Sequence, residues 1–332
     1  MVRIWLNHWF STAYSIINLI KENENDFYII GSNESKYAVY GQVCDEWYVE
    51  PVLKDVEYIE YCLSFCKEHK VDIFVPRRGM TAISRYRARF EEIGVKVMVD
   101  NYEKLKVLNQ KMKSYELFKK LKIGYLPEYE TVTCVADFVS AYEKLAARYN
   151  QICFKFANDE GGKSYRLIDN NRKGYTALFK KQNTRMTLED VLAALSERET
   201  VAPIIVMPYL PGEEVSVDCL KTRSGIIMLP RVKDFSKVER IRYDKKILDI
   251  CNDFYQKIGL EHPCNIQFKY REDVPYFLEV NTRMSGGIQM ACLASGINIP
   301  NIAVNNMLGI DKPWENSYEE KCVSHIEIPI IV

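Results

Sequence analysis

Short apolar runs alternate with amphipathic stretches over the first hundred residues. "RIWL" (3–6), "FYIIGS" (27–32), "VDIFVP" (71–76) and "VKVMV" (95–99) read as strands. Between them, residues 12–22, 55–69 and 81–92 carry apolar side chains at helical spacing, with Ile59, Leu63 and Cys66 on one face of the second. Strands separated in this way by helices predict a parallel sheet with crossover helices.

A long helix over 102–121 follows, closed by Gly124 and Pro127. Then come a strand at "YETVT" (129–133), a helix over 135–149 and a strand at "ICFKFA" (152–157). A polar glycine loop, "NDEGGKS" (158–164), leads to strand "YRLID" (165–169), and 170–200 is helix and loop. From 204 the strands lengthen, in "IIVMPYL", "EVSVDCLK" and "GIIMLPRV". A helix over 243–258 precedes "CNIQFKY" and "VPYFLEVNT", which "REDV" joins as a hairpin. Small-residue helices near 288–295 and 301–308 and a short terminal "SHIEIPIIV" finish the pattern. It divides into a parallel α/β unit over 1–100, a linker helix with a small α+β unit over 101–203, and an antiparallel unit over 204–332.

Charge changes this picture little. Acids and bases balance at 45 each, so no global field draws nucleic acid or an anionic membrane, and an anion site must be local. The ten cysteines form no CxxC pair, and Cys153, Cys219 and Cys292 lie inside apolar runs. That pattern fits a reducing cytoplasm and argues against a disulfide framework or a cysteine-held metal. The apolar N-terminus is interrupted by Asn7, His8, Ser11 and Thr12 and is followed by no small-residue cleavage site, so it reads as a first strand and helix. No run reaches the roughly 18 unbroken apolar residues of a membrane span.

The chemistry concentrates in "YFLEVNTRMSGG" (276–287). Alternate residues share a strand face, so Glu279, Asn281 and Arg283 point together. The hairpin brings Gln267 beside Glu279. Gln, Glu and Asn offer only oxygen, which suits Mg²⁺, with Mn²⁺ as a substitute. An arginine two residues beyond such an acid suits a transferring phosphoryl group. On the motif alone, a solvated strand end remains the other reading. Lys155 emerges from an apolar strand beside the glycine loop, a combination suited to phosphate, although the Walker A spacing is absent. Lys111 on the linker helix is, alone, an ordinary solvated lysine. In "IIVMPYLPGEEVSVDCL" (204–220) a strand offers backbone to a flat ring and an acid to ribose hydroxyls.

In this order the pieces resemble the ATP-grasp superfamily, and most closely its carbamoyl-phosphate-synthase large-subunit type. The resemblance covers about residues 100–300, and "LEVNTRMSGG" is its most specific element. It implies an ATP-grasp fold preceded by a Rossmann-like, pre-ATP-grasp α/β domain. It assigns Lys111 and Lys155 to the ATP phosphates, Glu160, Gly161 and Gly162 to the loop that closes over them, and the Met207, Tyr209 and Leu210 segment to the adenine. Glu214 takes the ribose; Gln267, Glu279 and Asn281 hold Mg²⁺; Arg283 steadies the transferring phosphate. Arg231, in "LPRVKDF", falls where such proteins often place a base near the triphosphate. Two positions depart from the pattern. Met207 stands where many relatives have an acid, and Gln267 is neutral where many ligases use a carboxylate.

The first strand is followed by "LNHWFSTAY" and not by GxGxxG, which argues against a dinucleotide site. Open parallel sheets bind ligands beyond the carboxyl ends of their strands, which points to "NHWFSTA" and "PRRGM" (76–80) for the acceptor. Arg77 and Arg78 suit a carboxylate or phosphate there; a solvated turn is the alternative. The implied activity is ligation of a small-molecule carboxylate to an amine through an acyl-phosphate, by a homodimer. A small-molecule kinase or a non-catalytic nucleotide-binding regulator would use the same scaffold. Carbamoyl-phosphate synthesis itself is disfavoured by length, because there is one grasp unit and no second copy.

Overall fold

Alternate side chains of β1 (Val2–Asn7) feed two different cores. Ile4 and Leu6 belong to one buried cluster and Trp5 to another, where it stacks on Phe65 and Phe74 at 4.3 and 4.1 Å. A strand of that kind needs cover on both faces. The computed structural model describes residues 1–158, 162–171, 184–233, 237–315 and 319–331. In it β1 is the middle strand of a five-stranded parallel sheet. The others are β2 (Phe27–Asn33), β3 (Glu46–Val49), β4 (Ile73–Pro76) and β5 (Lys96–Val97), in the order β3-β2-β1-β4-β5.

Helix α1 (Ala13–Lys21) covers one face and α2 (Asp55–Glu68) the other. The edge strand β3 is half-buried and escaped the apolar pattern. The helix expected over 81–92 is two helices, α3 (Met80–Arg85) and α4 (Arg87–Glu91), broken at Tyr86 (φ −101°, ψ 14°). The helix expected over 102–121 is also two, α5 (Tyr102–Leu108) and α6 (Lys111–Leu121). Gln110 between them is extended (φ −114°, ψ 111°), and the Asn109 Oδ1 accepts a hydrogen bond from Thr282 Oγ1 at 2.9 Å.

The chain packs as two compact units. One comprises Met1–Asn109, Glu213–Phe268 and Leu278–Val332; the other comprises Gln110–Gly212 and Lys269–Phe277. In the second unit α6 is followed by β6 (Glu130–Val132), α7 (Val135–Ala146), β7 (Ile152–Phe156), β8 (Arg166–Ile168), β9 (Arg185–Met186), α8 (Leu188–Leu195) and β10 (Ile204–Pro208). The sheet order is β6-β10-β7-β8-β9. Phe154, Ile204 and Val206 face α7 and α8. Cys153, Ile205 and Met207 face the other way, against Met112 of α6. Because β10 pairs with β6 and β7, this unit runs past residue 203 to Gly212.

The chain continues with β11 (Glu214–Lys221), β12 (Ile226–Lys233), β13 (Val238–Ile241), α9 (Lys245–Lys257), β14 (Cys264–Arg271), β15 (Val274–Asn281), α10 (Ile288–Ser295), α11 (Ile299–Leu308) and β16 (Lys321–Ser324), all in the first unit except Lys269–Phe277, the hairpin end of β14 and β15. These strands form a sheet in the order β15-β14-β11-β12-β13-β16. The last strand, β16, pairs with β13, and Ile326, Ile328 and Ile331 beyond it are exposed. Helices α10 and α11 complete the core around α1: Ile16, Ile17 and Ile20 pack with Ile288, Ala291 and Ile302. Asn301 Nδ2 donates to Ile20 O at 3.0 Å. Among the described residues no helix is long and apolar enough to cross a membrane. All ten cysteines are free thiols.

Candidate functional site

Strand β15 changes character along one face. Phe277 is fully buried and stacks on Phe118 at 3.8 Å, whereas Glu279 and Asn281, the next residues of the same parity, are half-buried. Asn281 Nδ2 donates to Glu279 Oε1 at 3.3 Å, and Arg283 Nη2 donates to Asn281 Oδ1 at 3.3 Å. Arg283 Nη1 also donates to Met284 O at 3.0 Å. The three residues expected to point together therefore form one hydrogen-bonded row. Gln267 lies on the adjacent strand β14, where its Nε2 donates to Asn265 Oδ1 at 3.3 Å. Gln267, Glu279 and Asn281 make an oxygen-only donor set with a single formal negative charge. Such a set fits a hard cation whose shell is completed by phosphate oxygens and water. Among the described residues no group of three or more His, Cys, Asp or Glu is arranged to hold a metal. Glu214, at the start of β11, pairs with Lys233 Nζ at 2.6 Å directly across the ladder.

Arg231 departs from the expectation of a base at the triphosphate. It is 2% exposed. Its Nε donates to Asp218 Oδ2 at 2.8 Å, its Nη1 pairs with Glu239, and its Nη2 donates to Ser285 Oγ at 2.9 Å. Asp218 also accepts from Asn265 Nδ2 at 2.9 Å. Burial works against the charge, but Asp218 and Glu239 outweigh it and hold the guanidinium pKa above its ordinary value. A Cβ on Gly287 would lie 2.3 Å from Arg231 Nη1. Arg231 is thus a buried brace beneath the "SGG" turn that follows the row. Sequence reading missed this brace, although Ser216 and Asp218 interrupt an otherwise apolar β11 and Ser216 lies opposite Arg231.

In the second unit, Lys155 points from β7 to the side of Cys153 and is 9% exposed. Burial pushes the Cys153 thiol up to about 11, so it stays neutral. Lys111 is the first residue of α6. Gly162 has φ +68°, a left-handed conformation that suits glycine, and nothing lies within 4 Å of where its Cβ would be. Glu160 and Gly161 lie outside the described residues. Met207 is buried in β10 opposite Cys153, and Leu210 is buried too. Tyr209 N donates to Gln151 O at 2.9 Å.

At the carboxyl ends of β1 and β4, two loops are tied together. Arg77 N donates to Asn7 Oδ1 at 2.7 Å, and Trp9 Nε1 donates to Val75 O at 3.0 Å. The structure separates the two arginines expected here. Arg78 pairs with Glu34, donates to Leu53 O at 2.6 Å and lies over the Tyr58 ring at 4.5 Å. The Arg77 guanidinium lies over the Phe10 ring at 4.6 Å, and that of Arg283 lies over the same ring at 5.4 Å. Phe10 lies in the "NHWFSTA" stretch that the sequence pointed to for the acceptor, but beside Trp9 nothing in the pattern singles out its ring.

Residues 200–327 match the family model described as ATP-grasp in the biosynthetic pathway with Ter operon, and residues 11–98 match PylC-like, N-terminal domain. The arginine-specific carbamoyl phosphate synthase large chain of Geobacillus stearothermophilus is 25% identical over 317 residues, 90% of this chain and 28% of that one. The carbamoyl phosphate synthase large chain of Thermoanaerobacter sp. (strain X514) is 24% identical over 300 residues, 85% of this chain and 26% of that one. The chain thus spans only about a quarter of the length of these curated relatives. Among solved structures, the ADP complex of N5-carboxyaminoimidazole synthetase from Staphylococcus aureus superposes with a TM-score of 0.69 at 12% identity, covering 94% of this chain and 78% of that one. The biotin carboxylase domain of 2-oxoglutarate carboxylase from Hydrogenobacter thermophilus, solved as a dimer with MgADP, ADP and bicarbonate, gives 0.68 at 14% identity, covering 95% and 71%.

Proposed function

We propose that this chain, a member of the ATP-grasp superfamily resembling the carbamoyl phosphate synthase large chain, is an ATP- and Mg²⁺-dependent carboxylate–amine ligase. A carboxylate oxygen of the acceptor attacks the γ-phosphorus of ATP. The bond from that phosphorus to the β–γ bridging oxygen breaks, and ADP leaves. A nitrogen nucleophile then attacks the acyl carbon, the bond from that carbon to the phosphate oxygen breaks, and phosphate leaves. The nitrogen gives its proton to solvent.

The observation that carries this reading is the hydrogen-bonded row Glu279–Asn281–Arg283 at the end of β15. Glu279 and Asn281, with Gln267, supply the oxygens for Mg²⁺, and Mn²⁺ fits the same donors. The ion would neutralise charge on the triphosphate. Arg283 offers its guanidinium to the phosphoryl group in transfer. Lys111 and Lys155 are assigned to the phosphates, the Met207–Leu210 segment to the base and Glu214 to the ribose. Arg231 acts through the turn it supports. Ten free thiols fit a cytoplasmic enzyme. The matched biotin carboxylase domain is described as a dimer, and a homodimer is the assembly we take for this chain.

Thermal shift with Mg-ATP, Mg-GTP and no nucleotide tests the reading. Nucleotide at about 100 times Kd should add roughly 2.7 kcal/mol, and Glu279→Ala should lose most of it. ADP release that requires both a carboxylate and an amine completes the case. A stable phosphorylated product formed without an amine makes the chain a kinase, and binding without turnover makes it a regulator. No shift with any nucleotide, with carboxylates present or absent, overturns the reading.

A further inference from the structure

Helix α8 has eight residues, about 12 Å of helix, and cannot cover the whole face of the five-stranded sheet it packs on. Phe154 and Phe156 alternate with Cys153 and Lys155 along β7 and so point to the α8 side. Phe154 is buried, but Phe156 and, from β9, Met186 are only half-buried. They line a cavity of about 460 Å³ between that sheet face and α8, with Leu195 and Val201 as its wall. Pockets of that volume hold small ligands. The cavity lies on the face opposite Lys155, the residue assigned above to the ATP phosphates, so the ligase reading does not use it.

Two arginines from different elements line the same cavity. Arg166 stands directly across from Phe154 in the β7–β8 ladder and so shares its face. Its Nη1 donates to Lys163 O at 2.9 Å and to Tyr165 O at 2.8 Å, neutral acceptors that orient the guanidinium and leave its charge in place. Arg198, just beyond α8, is exposed. Among the described residues no acid lines the cavity or pairs with either arginine. Glu197 and Glu199, the chain neighbours of Arg198, are exposed and stand outside the lining. Charge of one sign beside a low-dielectric wall concentrates the field on an incoming anion.

We propose that this cavity binds a small amphipathic anion, its carboxylate or phosphate head at Arg166 and Arg198 and its unbranched apolar tail over Phe156 and Met186. Guanidinium N–H edges take either head. The half-buried aromatic and thioether side chains lose water to the tail, which is the gain that drives apolar burial. A neutral apolar ligand would leave the two arginines unused, and a small anion without a tail would leave the floor wet. The site goes beyond the ligase reading and stands or falls without it.

The test titrates the full chain calorimetrically with octanoate and octyl phosphate, below their micelle concentrations, each against octanol and acetate. The expected result is at least one of the two anions binding ten-fold or more tighter than octanol, which lacks the charge, and than acetate, which lacks the tail. Arg198→Glu should remove the preference over octanol, and Arg198→Lys should keep part of it. Ala194→Trp, at an exposed position in the α8 wall, should fill the cavity and abolish binding. A melting curve on each variant confirms that it is folded. Octanol binding as tightly as either anion overturns the proposal, as does binding that survives Ala194→Trp in a folded variant. No binding of either anion overturns it outright. Self-association that Ala194→Trp abolishes, with no octanoate bound, gives the cavity to a second copy of the chain and overturns it too.

Discussion

A methyl group on Gly287 would meet a guanidinium that cannot step aside, because Asp218, Glu239 and Ser285 hold Arg231 in place. Gly287→Ala should therefore cost about 1–3 kcal/mol of overpacking in urea unfolding. Arg231→Met should cost more, about 3–5 kcal/mol, because it strands two acids beside an apolar side chain; a loss below 1 kcal/mol would refute the brace. His262 titrates with the opposite concern. Burial, helped by the Arg87 charge, pushes its pKa down to about 4, so the folded protein holds it neutral. Its Nε2 is buried without a hydrogen-bond partner. The contribution is fully present above the unfolded pKa of about 6.5 and is lost as pH falls toward 4, by roughly 1.4 kcal/mol per unit. Asp100 accepts from the Glu261 and His262 backbone amides, and burial raises its pKa, so it works in the other direction. The difference between wild type and His262→Gln in chemical unfolding at pH 7 and pH 4.5 isolates the histidine, and a gap that does not change with pH would refute the assignment. The Glu279, Asn281 and Arg283 row was legible because strand parity is local. The Arg231 brace was not, because Glu239 reaches it from the neighbouring strand β13.

Asn109 shows how an element can be misread from a correct period. Apolar spacing runs without interruption from 102 to 121, and nothing nearby marks a stop except the weak helix preference of asparagine. The break is held from 173 residues away, by Thr282 at the end of β15. Asn109→Ala leaves the buried Thr282 hydroxyl without that acceptor and should cost about 1–3 kcal/mol. Unchanged stability in thermal melts of that variant would show that the bond does not set the break. The strands β3 and β13 were missed for a related reason. They are half-buried, and their polar residues pair with neighbours that the sequence does not place beside them. The long strands β11, β12, β14 and β15 were legible, because each carries enough apolar length to declare itself.

At the scale of the molecule, thiol accessibility is a compact readout of both units. Seven of the ten cysteines are buried, two are intermediate and only Cys322 is exposed. A thiol reagent should modify one group rapidly in the native protein and all ten in denaturant; several fast thiols in the native state would contradict the packing. The first hundred residues read as an α/β unit, and its four expected strands and first two helices are there, with β3 added and the third helix split at Tyr86. What periodicity cannot reveal is that one side of that sheet is finished by the other end of the chain. Ile16, Ile17 and Ile20 of α1 are covered by α10 and α11, and Asn301 bonds the last turn of α1. On the ribosome this becomes a matter of time. A chain made at about 5–20 residues per second leaves the apolar face of α1 waiting some tens of seconds for its cover. The nascent protein must meanwhile be shielded or remain loosely folded, so the N-terminal sheet, first to be made, is among the last parts to become secure.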